Sequence, residues 1–538
     1  MIFSGLILFA VYSVYDIISD MKIRDTLFLI LLIVFLSSVS VITHLSNNTL
    51  DNDASGEMVL SHCLFENKSP VCDDWTYGTE FRINNQIVFG LLFFLFKNWT
   101  TVRIVGTLII EMMLLFSFVF MMHSVRVKTE SILFGAILLL LPYCVAYGRI
   151  VLYFSFYTPY ITFMFIICGC YFKYLDENKK WWVLTFLFTF ISCTNGIRQF
   201  FTTVAPLLVL HFLLCLKRRD WKYIYKIFPV FFGGISGLLF FYLFILKIVH
   251  LEQGAGINIK YKGISELFIV IFSIMRQFGY RSGIPKFTFL WIMSLAGIFV
   301  MTYAVYHSIT KVLTAKTDSL AIIYGMLPVT LLLNAVTFVL FDLPYNQRYD
   351  YARYLTPASV WCIPLFTLIS CRLKNKKSSY SFSLIMIIFI GNSIINYCFL
   401  HNPNYFSQEY DGLPFRDTSD IGIYKESLNY LRNNNFELGY VFSDANVLTE
   451  KLNGVPVIPL EEKNHQIVYL DLLTRKKYRE IDTQNVFLFA KYTEAASFLS
   501  YPISDFAELV NTEQNKAFIY RITSPDVFRE YLSRYYQK

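Results

Sequence analysis

Long apolar runs separated by short basic segments dominate residues 1–401. The runs lie near 26–43, 103–123, 131–147, 156–173, 181–194, 201–216, 227–248, 287–307, 319–341, 355–371 and 379–400. A helix needs about 20 apolar residues to cross a bilayer, so the pattern predicts about eleven crossings. Lys22 and Arg24, Arg126 and Lys128, and the basic segments 173–180, 217–226, 311–316 and 372–377 fall between the runs. Cytoplasmic loops carry an excess of Lys and Arg. Placing each basic segment in the cytoplasm closes the alternation, with the amino end inside and the carboxyl end outside. Three apolar stretches stand apart. Residues 1–19 carry Asp16, with Asp20 just beyond, and read as an interfacial helix, an extra span or a stretch ahead of the true start at Met21. Residues 85–96 are too short to span and read as lying along the outer interface, whereas 263–279 contain Glu266 and Arg276 and read as an interfacial or re-entrant helix in preference to an extra pair of crossings.

Two regions break the pattern. One is a polar loop over about 44–102, between the first two runs. The other is a tail over 402–538 in which short apolar stretches alternate with polar ones. In the tail, 439–444, 455–460, 485–490 and 516–522 read as strands, and 445–454 and 492–500 as helices. Strands alternating with helices make a small α/β unit. The expected fold is therefore a polytopic α-helical membrane protein, with a multi-span membrane domain over 1–401 and an extracytoplasmic α/β domain over 402–538.

Composition agrees and narrows the function. Apolar residues make up 55% of the chain and charged residues 16%, against about 25% charged in soluble domains. That excludes a soluble cytosolic enzyme and a disordered chain. The net charge of +8 sits in the basic segments between spans rather than on one face, so no nucleic-acid partner is expected. Eight of the ten cysteines (Cys144, Cys168, Cys170, Cys193, Cys215, Cys362, Cys371 and Cys398) lie in or beside apolar runs. Only Cys63 and Cys72 share a polar loop, so one disulfide at most is expected.

Candidate chemistry gathers in the first loop and at the opposite ends of the spans from the basic segments. In LDNDASGEMVLSHCLF, Asp53 and Glu57 are four apart and share one face of a helix. Asp51 just before them is placed to cap it. Such carboxylates suit a general base or a divalent cation, Mg2+ or Mn2+. His62 is either a further ligand or structural, and a solvated helix face is the plainer reading of the acids taken alone. The segment CDDWTYGTEFRINNQ combines Trp75, Tyr77, Glu80 and Arg82 with amides, a mixture that suits the apolar faces and hydroxyl edges of a sugar. An interfacial aromatic belt has the same composition. Arg149, Arg198, Arg348 and Arg353 lie at outer ends of spans, against the charge trend. Guanidinium groups bind phosphate bidentately, whereas snorkelling explains a single such arginine.

The layout resembles the GT-C superfamily of polyprenyl-phosphate-sugar glycosyltransferases. The resemblance rests on an acidic first outer loop (Asp51, Asp53, Glu57), many spans and an outer carboxyl-terminal domain. WTYGTEFRINNQ, GIRQFF and ARYLTP look like signatures of a bacterial branch of that group. It implies a membrane enzyme that moves a sugar from a polyprenyl-phosphate donor to a glycan or lipid acceptor, with inversion. Asp53 would be the base, Asp51 its rival, and Glu57 a support or metal ligand. The arginines would hold the leaving phosphate. The stretch from Asp51 to Glu57 has no two acids side by side, unlike parts of the superfamily, which leaves Asp51 and Asp53 both open. A polysaccharide polymerase or ligase would place its main loop later, and a sensor leaves the acidic loop unexplained. A lipid-linked glycan transporter is expected to show internal repeats and mid-membrane charge, whereas the charges here are read at the span ends.

Overall fold

The computed structural model describes residues 23–536 except 49, 51, 78–80, 82–83, 177–178, 252–264, 279–287, 341–350, 373–375, 402–423, 443, 464–465, 472, 492–505 and 514–516. Each of the apolar runs contains a helix, but fewer qualify as crossings than expected. Seven are long and apolar enough to span: Ile23–Asn47, Trp99–Ser124, Ile197–Arg218, Trp221–Ile248, Trp291–Thr314, Asp318–Thr337 and Ser379–Cys398. The run near 131–147 is a bent pair, Thr129–Leu140 and Val145–Tyr153, turned through 90°, which makes eight if the pair is one span. Pro142 accounts for the break, because its ring removes a backbone donor and clashes with the preceding turn. Asn396 Nδ2 donates to the Pro142 carbonyl at 2.9 Å, satisfying an acceptor that the break exposes. Trp181–Cys193 and Leu355–Ser370 are shorter apolar helices. The helix Thr158–Asp176 is buried along most of its length. The expected eleven thus becomes seven or eight among the described residues, by length and composition.

The charge expectation also needs correction. Arg103 and Glu111 both lie within the span Trp99–Ser124, and both are fully buried. Glu111 sits among Ser38, Tyr147 and Tyr153. Of the three stretches set apart above, 1–19 lies outside the described residues. The other two hold the helices Asn84–Leu92 and Ser265–Gln277.

A two-stranded parallel pair, β1 (Thr76–Tyr77) and β2 (His250–Leu251), ties the first loop to the end of a span. The tail forms one six-stranded sheet from β3 (Leu438–Val441), β4 (Val457–Lys463), β5 (Gln466–Tyr469), β6 (Val486–Lys491), β7 (Ala507–Glu513) and β8 (Ala517–Ile522). Their order is β5-β4-β3-β6-β8-β7. The central β3 runs parallel to β4 and β6, and the outer pairs are antiparallel. The four expected strands are present and the expected helix at 445–454 is Ala445–Lys451. The helix expected at 492–500 lies outside the described residues. The strands β5 and β7 and the helices Lys425–Asn433 and Pro525–Tyr536 are additional.

The sheet is covered on both faces, which is why β6 reads as a continuous apolar run. Phe487 and Phe489 point into the main core with the spans. The alternate residues Val486, Leu488 and Ala490 join a second core. Met58, Cys63, Trp75 and Trp99 of the first loop and the neighbouring span belong to that second core. Loop and tail sheet therefore share one hydrophobic cluster.

Candidate active site

The acidic segment folds as the helix Asn52–Asn67, with Asp53 in its first turn, where a negative charge is favoured by the helix dipole. Asp53 is half-buried. Glu57, one turn along on the same face, is buried and accepts a hydrogen bond from Asn85 Nδ2 at 2.9 Å. A second bond runs from Asn85 Nδ2 to the Ser155 carbonyl at 2.7 Å. One amide thus fastens the acidic helix to the connector that follows Arg149.

That connector has an unusual backbone. Gly148–Tyr153 is a π-helical turn, a local widening frequent at functional sites. A Cβ on Gly148 would meet Leu400 Cδ1 at 2.7 Å and Pro142 Cβ at 2.8 Å, so the close approach selects glycine beside Arg149. Ser155 has φ +60°, which turns the chain back so that Tyr157 N donates to the Ile150 carbonyl at 2.9 Å. Arg149 is buried, with its guanidinium 5.5 Å from the Phe154 ring centroid.

Arg198 reaches the same connector from the next one. Gly196 has φ +122°, a conformation open to glycine, and it leads into Ile197–Gln199 and a second π-helical turn, Phe200–Val204. Arg198 Nη1 donates to the Tyr157 hydroxyl. Its guanidinium lies over Tyr157 and Tyr160, 4.9 and 5.7 Å from their centroids. The structure therefore brings Glu57, through Asn85, and Arg198 to one connector, at Ser155 and at Tyr157, with Arg149 on the same connector. Asp51, Glu80, Arg82 and Arg348 lie outside the described residues. Arg353 falls in the helix Tyr351–Ser359, of which the backbone is described there.

Trp75 and Tyr77 depart from the expectation of a sugar-stacking platform. They are 1% and 3% exposed, and Trp75 bridges to Arg475 of the tail. The Tyr77 hydroxyl accepts from Cys72 N at 3.4 Å, and burial pushes its pKa up to about 12. Rings enclosed between loop and sheet offer no open face, so in this structure they pack a core. Cys63 and Cys72 are joined by a disulfide, with Cα atoms 6.0 Å apart. His62 faces Glu66 at 3.4 Å and packs against Phe93 and Trp99, 4.9 Å from each ring centroid, rather than joining Asp53 and Glu57. Among the described residues, the one compact set of His, Cys, Asp or Glu ligand atoms is Cys63, Cys72 and Asp74. Its sulfurs are committed to the disulfide, so it does not fit a divalent cation.

No family model and no curated protein matches the chain. Among solved structures, the chain is similar to ArnT from Cupriavidus metallidurans bound to undecaprenyl phosphate. The match covers 92% of this chain and 98% of that one, at 10% identity and a TM-score of 0.47. It is also similar to the oligosaccharyltransferase AglB from Archaeoglobus fulgidus in complex with an inhibitory peptide and a dolichol-phosphate. There it covers 92% of this chain and 74% of that one, at 10% identity and a TM-score of 0.46. These values are too low to carry a donor, acceptor or catalytic group over to this chain.

Sequence reasoning passed over Asn85 and Ser155 as site residues, and also Arg103 and Glu450. Arg103 carried a signal, because it too starts a span at the end away from the basic segments. Asn85 stood in a polar segment with nothing to separate it from its neighbours. Glu450 is ordinary in sequence and becomes conspicuous through burial, at 4% exposure.

Proposed function

We propose that the protein is a membrane glycosyltransferase of the GT-C type. It moves a sugar from a polyprenyl-phosphate donor to a hydroxyl of a cell-envelope glycan or lipid at the outer membrane face. The observation that carries this reading is that Glu57, through Asn85, and Arg198 bond to one connector, at the Ser155 carbonyl and the Tyr157 hydroxyl two residues apart. It brings an acidic helix and guanidinium groups to one connector. Such a pairing suits a reaction in which one end loses a proton and the other gains phosphate charge.

In this reading Asp53 takes the acceptor hydroxyl proton while the acceptor oxygen bonds to the anomeric carbon from the opposite face. The bond from that carbon to the phosphate oxygen breaks, its electron pair leaves with the polyprenyl phosphate, and configuration inverts. An alcohol is far less acidic than a carboxylic acid, so proton transfer accompanies departure of the phosphate. Glu57 holds the helix through Asn85, and Arg149 and Arg198, with Arg348 and Arg353 as further candidates, stabilise the departing charge.

The test is transfer by the purified protein in nanodiscs from polyprenyl-phosphate-linked sugars to a hydroxyl acceptor. Asp53→Asn is expected to abolish turnover while polyprenyl phosphate binding stays within about twofold. Full turnover in that variant overturns the assignment of Asp53. Repeating the assay with EDTA, then with Mg2+ or Mn2+, reads out metal dependence. Glu111, buried within a span, favours a second reading as a lipid-linked glycan transporter, because intramembrane carboxylates mark transport and proton paths. Movement of the lipid-linked sugar across vesicles without transfer would establish that reading instead.

A further inference from the structure

The tail helix Ala445–Lys451 is fastened to the acidic helix at its first turn. Arg103, fully buried, donates from Nε and Nη2 to the two carboxylate oxygens of Glu450, the Nη2 bond being 2.5 Å. The same Nη2 donates to the carbonyl of Ala54 at 3.1 Å. Ala54 is the residue after Asp53. A single guanidinium therefore holds the tail helix Ala445–Lys451 and the first turn of Asn52–Asn67 together. A planar fork makes several such bonds at fixed angles, whereas an ammonium acts as a point charge.

Contacts on either side repeat the arrangement. Asn446 N donates to Asn52 Oδ1 at 3.1 Å, and a Cβ on Gly56 would meet Asn446 Nδ2 at 3.2 Å. Lys451 Nζ donates to the Ser46 carbonyl near the end of the first span. Trp99 N donates to Asn453 Oδ1 at 3.1 Å, at the start of the second. The tail thus touches both spans that flank the loop and the acidic turn between them.

Resting on the function proposed above, we propose that the tail sheet braces the acidic loop, with Arg103 as the positioning residue that couples Glu450 to the Asp53 turn. Arg103 itself touches neither donor nor acceptor. Its effect on turnover runs through the position of Asp53, where a displacement of about 1 Å can cost about 100-fold in rate.

The experiment uses the full-length protein in nanodiscs with Arg103→Lys, Glu450→Gln and the exchange Arg103→Glu/Glu450→Arg. Backbone hydrogen exchange over residues 52–58 is read alongside kcat and donor KM. Arg103→Lys is expected to raise exchange in that turn about tenfold or more. It should lower kcat by about 10- to 100-fold, with donor KM held within about twofold. The exchange variant restores an ion pair to the tail, but its carboxylate cannot donate to the Ala54 carbonyl. Its tail is expected to regain protection while kcat stays low. Wild-type exchange and kcat in both Arg103→Lys and Glu450→Gln overturn the brace, as does a loss confined to KM. If Arg103→Lys does not fold, Glu450→Gln carries the same readouts. If the wild-type protein transfers no sugar, the function falls, yet the exchange measurement still decides the brace.

Discussion

Asn85 offers the most direct measurement of how the acidic helix is held. It is 3% exposed, and its Nδ2 donates to Glu57 Oε2 at 2.9 Å and to the Ser155 carbonyl at 2.7 Å. A hydrogen bond to a charged group contributes about 1.5–3 kcal/mol, and a neutral one about 0.5–1.5. Asn85→Ala is therefore expected to cost about 2–4.5 kcal/mol, part of it from leaving the Glu57 carboxylate buried without that donor. A double-mutant cycle with Glu57→Ala isolates the first bond, because the Ser155 bond is lost equally in both arms that change Asn85. The expected coupling is about 1.5–3 kcal/mol. Reversible unfolding in mixed micelles, followed by circular dichroism for all four proteins, supplies the numbers. Single costs that add to within about 0.5 kcal/mol would refute the claim that Asn85 holds Glu57.

Two further predictions concern the loop behind that helix. Burial lowers the His62 pKa below the usual 6.5, with Arg475 adding to the effect and Glu66 opposing it. The unfolded chain therefore takes up the proton first. The loop should lose stability as pH falls through about 6.5, level off below the folded value, and show no such slope above about pH 7.5. Thermal unfolding at several pH values checks this, and His62→Phe should remove the slope between about pH 7.5 and the acid plateau. The Cys63–Cys72 disulfide closes a loop with a sequence separation of 9. Cys63→Ser/Cys72→Ser should lower stability by about 2–3 kcal/mol on the chain-entropy account. Reductant should shift the wild-type Tm toward that of the variant and leave the variant unmoved.

Chemical type and local periodicity were legible in the sequence because they depend on residues close together in the chain. The helix Asn52–Asn67 with Asp53 and Glu57 on one face and the tail strands β3, β4, β6 and β8 follow from spacings of two to four residues. The span count was less legible. The runs near 131–147, 181–194 and 355–371 form a bent pair and two short helices, and hydropathy does not reveal where a helix bends or stops. The strand β7 escaped notice because AELVNTE follows an edge-strand burial pattern without a strong apolar alternation.

By itself, then, the sequence determined a membrane-embedded helical chain, a polar first loop with an acidic helix, and an α/β tail. Those properties come from solvent preference and backbone period, which act locally. Tertiary structure decided which charges meet. Asn85 finds Glu57 across 28 positions, and Arg103 finds Glu450 across 347. It also closed Trp75 and Tyr77 into a core that their sequence neighbourhood presented as a sugar platform. A buried polar group must find a partner or stay strongly destabilising. Which partner it finds depends on how the apolar surfaces of loop, spans and sheet close around it.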